Sequence, residues 1–120
     1  MKLFLLTLLM ASNLAMANSI SGVVKVKGSA PAGVLYIFAK KFDGSMRMPL
    51  AVKKIESPKF PVKFTLDKSD QMMKGLPFEG PFKITARISP NGSVMDKSGV
   101  EVSTEKPVKL GDKNIELSLK

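Results

Sequence analysis

The chain has 120 residues, with 19 Lys or Arg against 10 Asp or Glu for a formal net charge of +9, and it contains neither Cys nor His. Without those two residue types it cannot build a Cys–His pair, a Ser–His–Asp triad, a zinc site of the usual kinds or a His-ligated copper or haem centre. The first seventeen residues indicate the compartment. Met1-Lys2 is a short positive start, residues 3–10 are apolar except for Thr7, and Ala15 and Ala17 are small residues at the two positions a leader peptidase reads. This order predicts a cleaved signal peptide over 1–17, the alternative being a membrane anchor or a buried first helix. The apolar run falls short of the roughly 20 residues a membrane span needs, and no second run follows. No Cys follows Ala17, so a lipid anchor is not expected. Residues 18–120 are then one exported domain, periplasmic and soluble, with no stable membrane insertion.

Removing 17 residues from 120 leaves 103, and losing Lys2 leaves 18 basic residues against 10 acidic, a net charge of +8. A domain of this size buries roughly 60% or slightly more of its unfolded surface, so it can fold without metals or disulfides. Export would permit disulfides, but there is no Cys to form them.

The mature sequence alternates with period two. Ile20, Gly22, Val24 and Val26 fall on one face, with Lys25 and Lys27 on the other. Residues 34–39 (VLYIFA) are continuously apolar, as in a central strand covered on both sides. Residues 50–55 (LAVKKI) are strand-like but change face at Lys53-Lys54, which predicts a bulge or an edge. Phe60, Val62, Phe64 and Leu66 alternate with polar residues and Pro61, and Pro61 marks an edge strand because it has no amide to donate. Asp67 is a candidate cap for a short helical turn over 68–73, with Gly75 ending it. Phe82, Ile84, Ala86 and Ile88 alternate again, and Asn91-Gly92 is the strongest hairpin signal. Residues 100–102 and 108–110 are shorter strand pieces, and Ile115, Leu117 and Leu119 complete the set. About seven short strands separated by turns predict an all-β antiparallel sandwich of immunoglobulin-like size, without the Cys…Trp…Cys signature.

Few residues are placed for chemistry. The ten acidic residues fall mostly in turns or at outward strand positions, and there is no dinucleotide or phosphate-binding glycine motif. The chain is therefore read as a non-enzyme with no cofactor. Nucleic acid is not an expected partner, because the aromatics sit in apolar runs and do not interleave with basic residues. The lysines spread along the chain are solvated strand faces or attract an acidic partner or an anionic surface. The best candidate partner-binding surface is the edge formed by Met46, Arg47, Met48, Pro49, Lys53 and Lys54, helped by Lys63, Lys83 and Arg87. Lys53 and Lys54 can equally serve to protect that edge from aggregation. An alternative is a copper(I) site made by the thioethers of Met46, Met48 and Met72, against which stands the use of Met as an adaptable filler or contact.

Residues 47–54 (RMPLAVKK) resemble the MPLAVKR stretch in the periplasmic C-terminal domain of c-type cytochrome biogenesis factors of the CcmI/CycH type. Further likenesses follow in the same order: Phe60-Pro61-Val62 with residues 65–69 (TLDKS), residues 71–75 (QMMKG), and residues 84–89 (ITARIS) followed by Gly92. Residues 34–39 match that family's VFVFAR strand, and its GDL.G segment corresponds in part to residues 96–99. The resemblance spans about residues 20–120. It implies a β-sandwich without catalytic residues, in a family whose full-length members carry membrane helices and tetratricopeptide repeats and capture apocytochrome c for haem ligation. The expectation here is a stand-alone version, in which the Met-Pro-Leu and Met-Met positions are structural and the partner is apocytochrome c or a cytochrome maturation subunit.

Overall fold

Residues 34–41 form the strand around which the domain is organised. The computed structural model describes residues 19–29, 32–46, 48–72, 75 and 77–119; the expected signal peptide with Ala15 and Ala17, and also Arg47 and Met73, lie outside them. Strand β2 (Val34–Lys41) has residues 35–39 all buried. Its alternate side chains Leu35, Ile37 and Ala39 enter the core. Tyr36 and Phe38 lie on the opposite face, yet are only 5% and 3% exposed. So the uninterrupted apolar run does mark a strand covered on both sides. The outer cover is not a second layer of structure but a set of side chains and one loop. The Arg87 guanidinium sits 4.9 Å and the Lys40 ammonium 5.6 Å from the Phe38 ring centre, and the Tyr36 hydroxyl donates to the Gly92 carbonyl at 2.7 Å.

The other strands, in chain order, are β1 (Ile20–Val26), β3 (Ala51–Ile55), β4 (Val62–Leu66), β5 (Phe82–Ser89), β6 (Glu101–Ser103) and β7 (Ile115–Leu119). They make two sheets, ordered β4-β1-β7 and β3-β2-β5-β6. The pairings are antiparallel except that of β1 with β7, which is parallel. Inward residues of both sheets, among them Ile20, Leu66, Leu117, Ile37, Ile84 and Phe82, form one core. Each such side chain contributes about 1.5–3 kcal/mol by leaving water. The fold is the expected all-β sandwich of seven strands. Pro61 immediately precedes β4, which is an edge strand, as its missing amide requires.

Local expectations are sharpened or corrected in four places. Of the bulge or edge expected at Lys53-Lys54, the structure has the edge: β3 borders its sheet and pairs with β2 in unbroken register from Ala51 to Ile55. Residues 108–110 are not a strand. Only Val108 pairs, exchanging hydrogen bonds of 2.7 and 2.9 Å with Phe82. Asn91-Gly92 makes a turn, with the Gly92 amide 3.2 Å from the Ser89 carbonyl, but not a two-residue hairpin. Side chains of Ser89, Asn91, Ser93 and Asp96 divert the backbone, and β6 starts only at Glu101.

The fourth correction concerns the helical segment, a single 3-10 turn over Lys68–Asp70. Asp67 caps it as expected, and Asp70 bonds back to the Asp67 amide at 3.0 Å. The turn stops at Gln71, before Gly75, because Gln71 adopts an extended conformation and bridges to Ala51. Hydrogen bonds from the Ser69 hydroxyl and then its amide hold the Asp67 carboxyl below its ordinary 3.8. A carboxylate with a lowered folded pKa stabilises fully above its unfolded pKa, and that contribution disappears as pH falls through the folded value. Asp67→Ala is therefore expected to cost about 1 kcal/mol at neutral pH. The gap from wild type in urea titrations should narrow in acid, as the pH falls below the ordinary aspartate value.

Candidate partner-binding surface

The outer edge of β3 is shaped by the chain itself. Leu50 is buried and its amide donates to the Ala39 carbonyl at 2.7 Å, which starts β3 against β2. After the 3-10 turn the backbone returns, and the Met72 amide donates to the Leu50 carbonyl at 3.1 Å. Gln71 bridges Ala51 next to it. The first part of the edge is thus already occupied, and among the described residues no strand pairs with the outer side of residues 52–55.

The two lysines of this edge have different roles. Lys53 shares the face of Ala51 and Ile55, directed to the sandwich interior at its rim. Its ammonium pairs with Asp70 at 3.1 Å, so the charge that interrupts the apolar pattern is neutralised from the 3-10 turn. An inward-pointing charge of this kind also discourages edge-to-edge aggregation. Lys54 points to the outer face, is exposed, and lies 3.5 Å from Glu56, a surface pair of small energy.

The methionines separate in the same way. Met46 is half-buried against the core, whereas Met48 and Met72 are 48% and 49% exposed at this end of β3. Pro49, between Met48 and Leu50 in the chain, is half-buried. Of the more distant basic residues, Lys63 and Lys83 are exposed, but Arg87 is not available to a partner. It is 6% exposed, donates to Glu101 at 3.0 Å and to the Val94 carbonyl at 3.3 Å, and covers Phe38. Its partners come from β2, β6 and the loop before β6, which a scan along the sequence does not bring together.

Asp43 and Asp96 resemble Asp67 in being held below the ordinary carboxylate pKa. The Ser45 amide is the main cause for Asp43 and the Ser98 hydroxyl for Asp96. Carboxylates stabilised in ionised form by their own turns are the reverse of what a general acid needs. One surface feature has no counterpart in the motif reading: Val94 and Met95, both exposed, at the tip of the loop between β5 and β6. Two apolar residues set among Asn91, Gly92, Ser93 and Ser98 were its only sequence signal.

Among the described residues, no helix is long and apolar enough to cross a membrane. No curated protein sequence matches the chain. Among solved structures, an alternative pilotin from the type II secretion system of Vibrio cholerae is similar with a TM-score of 0.51 and 15% identity, over 84% of this chain and 93% of that one. At that identity the likeness extends to the fold alone. A family model described as the Ig-like domain of cytochrome c-type biogenesis protein H matches residues 13–120. With nearly its whole length matched and its two sheets arranged as an Ig-like sandwich, the chain belongs to that family of Ig-like domains.

Proposed function

We propose that this domain makes and breaks no bonds itself and works after export as an accessory factor of c-type cytochrome biogenesis, holding apocytochrome c or a haem-ligation subunit. Family membership over residues 13–120 is the observation that carries this reading. Met48 and Met72, exposed beside an edge strand, support the choice of surface. Unbranched thioethers adapt to apolar segments of varied shape. The open edge over residues 52–55 can accept an extended segment by strand addition. Lys54 and the basic excess of the chain favour acidic flanks on the partner.

The test is binding of the exported, purified chain to haem-free apocytochrome c, to the holocytochrome and to the periplasmic parts of the haem-ligation subunits. Binding to the apo form or to a subunit is expected. Joint replacement Met48→Asp and Met72→Asp should weaken it at least about tenfold. Binding to none of these proteins refutes the proposal. Binding that survives the double substitution keeps the role and rejects the surface.

A further inference from the structure

The chain contains no Cys, His or Trp, and its single tyrosine, Tyr36, is buried. Methionine is therefore the side chain on which a peroxide, a two-electron oxidant, acts first. The fold sorts the described thioethers by access. Met46 packs against the core. Met48 and Met72 are 48% and 49% exposed, and Met95 is 77% exposed.

Met48 and Met72 differ from Met95 in what lies beneath them. Both stand at the start of β3. There the Leu50 amide donates to the Ala39 carbonyl at 2.7 Å, and the Met72 amide donates to the Leu50 carbonyl at 3.1 Å. These main-chain bonds involve neither thioether. Oxygen added to either sulfur thus changes the surface and leaves the strand beneath it in place. The apolar thioether becomes a polar sulfoxide, which costs free energy to bury against an apolar segment. With hydrogen peroxide the step is balanced: the sulfur lone pair attacks one peroxide oxygen, the O–O bond breaks, and water leaves. Sulfur is oxidised by two electrons and the peroxide is reduced by two.

We propose that Met48 and Met72 form a reversible oxidation site that controls the surface assigned above, holding the partner as thioethers and releasing it as sulfoxides. This rests on that reading of the surface. Methionine sulfoxide reductases undo the step, turning a dithiol into a disulfide while the oxygen leaves as water. Met95 is an internal control. Its loop follows β5, which ends opposite Val34, whereas β3 begins opposite Ala39 at the other end of the sheet.

The test treats the exported chain with hydrogen peroxide, removes the peroxide, and locates each added oxygen by mass spectrometry of peptide fragments. Met48, Met72 and Met95 should be oxidised ahead of Met46, with circular dichroism and the urea midpoint unchanged. The Kd for haem-free apocytochrome c, or for the haem-ligation subunit that binds, should rise at least about tenfold. Reductases for both sulfoxide epimers should restore it. Met95→Leu should bind, and lose binding on oxidation, as the wild type does. The affinity that Met48→Leu with Met72→Leu retains should not respond to peroxide. The proposal is overturned if Met46 oxidises as fast as Met48 and Met72, if the oxidised chain binds as well as the untreated one, or if it unfolds. A response that persists in the double variant also overturns it. An untreated chain that binds none of these proteins refutes the reading of the surface and this proposal with it, whereas equal binding before and after treatment refutes this proposal alone.

Discussion

Replacing Gly22 with valine is expected to lower the stability of the domain by about 3 kcal/mol or more. A Cβ on Gly22 would lie 2.2 Å from the Ile115 carbonyl oxygen and 2.6 Å from the Ile115 Cβ. Both are parts of β7 that cannot swing aside as a side-chain end can. Gly22 opposes Ile115 where the parallel pairing of β1 with β7 begins, and it also opposes Phe64 of β4. A side chain there forces β7 away from β1, the central strand of its sheet, and opens the core over Leu117 and Leu119. Against a total stability of about 5–15 kcal/mol, this is a large fraction. The measurement is a urea transition followed by circular dichroism, with Gly44→Ala as comparison. A Cβ at Gly44 meets nothing within 4 Å, so only its left-handed backbone (φ +74) opposes the change, at about 1 kcal/mol. Equal losses in the two variants contradict the argument.

The second large effect is expected at Arg87. Arg87→Ala should cost about 2–3 kcal/mol, Arg87→Lys about 1 kcal/mol, and Glu101→Ala less than about 1 kcal/mol. The ordering follows from what each change removes. The Glu101 side chain is 41% exposed, so its ion pair with Arg87 is screened. The flat guanidinium and its stem, by contrast, keep water from Phe38 and tie down the Val94 carbonyl. Alanine leaves that aromatic face open, whereas lysine retains a stem and a charge without the planar fork. If Glu101→Ala destabilises as much as Arg87→Ala, the ion pair is the dominant contact and the ring cover is secondary.

These cases also mark where the sequence is readable. Strands such as β2, β4 and β5 follow from a period of two or an unbroken apolar run, because a two-layer core imposes that spacing locally. Asp67 was recognisable as a cap because its partners are two and three residues away. Lys53 looked like a break in β3 because the carboxylate that neutralises it, Asp70, lies on the far side of the β3–β4 connection. Arg87 looked like a free surface charge because Phe38 and Glu101 reach it only through strand pairing. The hairpin expected at Asn91-Gly92 failed because side-chain acceptors in the next five residues outcompete an immediate return of the backbone. On the candidate surface, the methionines and lysines were recognisable as a group. Which of them face water, and how much of the edge is already taken by residues 71–72, depended on the fold.

The parallel pairing of β1 with β7 joins residues 93 positions apart, from Gly22 with Ile115 onward. A ribosome delivers the first of these strands long before the other, so β1 has a neighbour on one side only until residues 115–119 have been made. Such distant closure is slow to nucleate and keeps the sandwich open until that last strand arrives. It also makes residues 115–119 the latch of the whole domain.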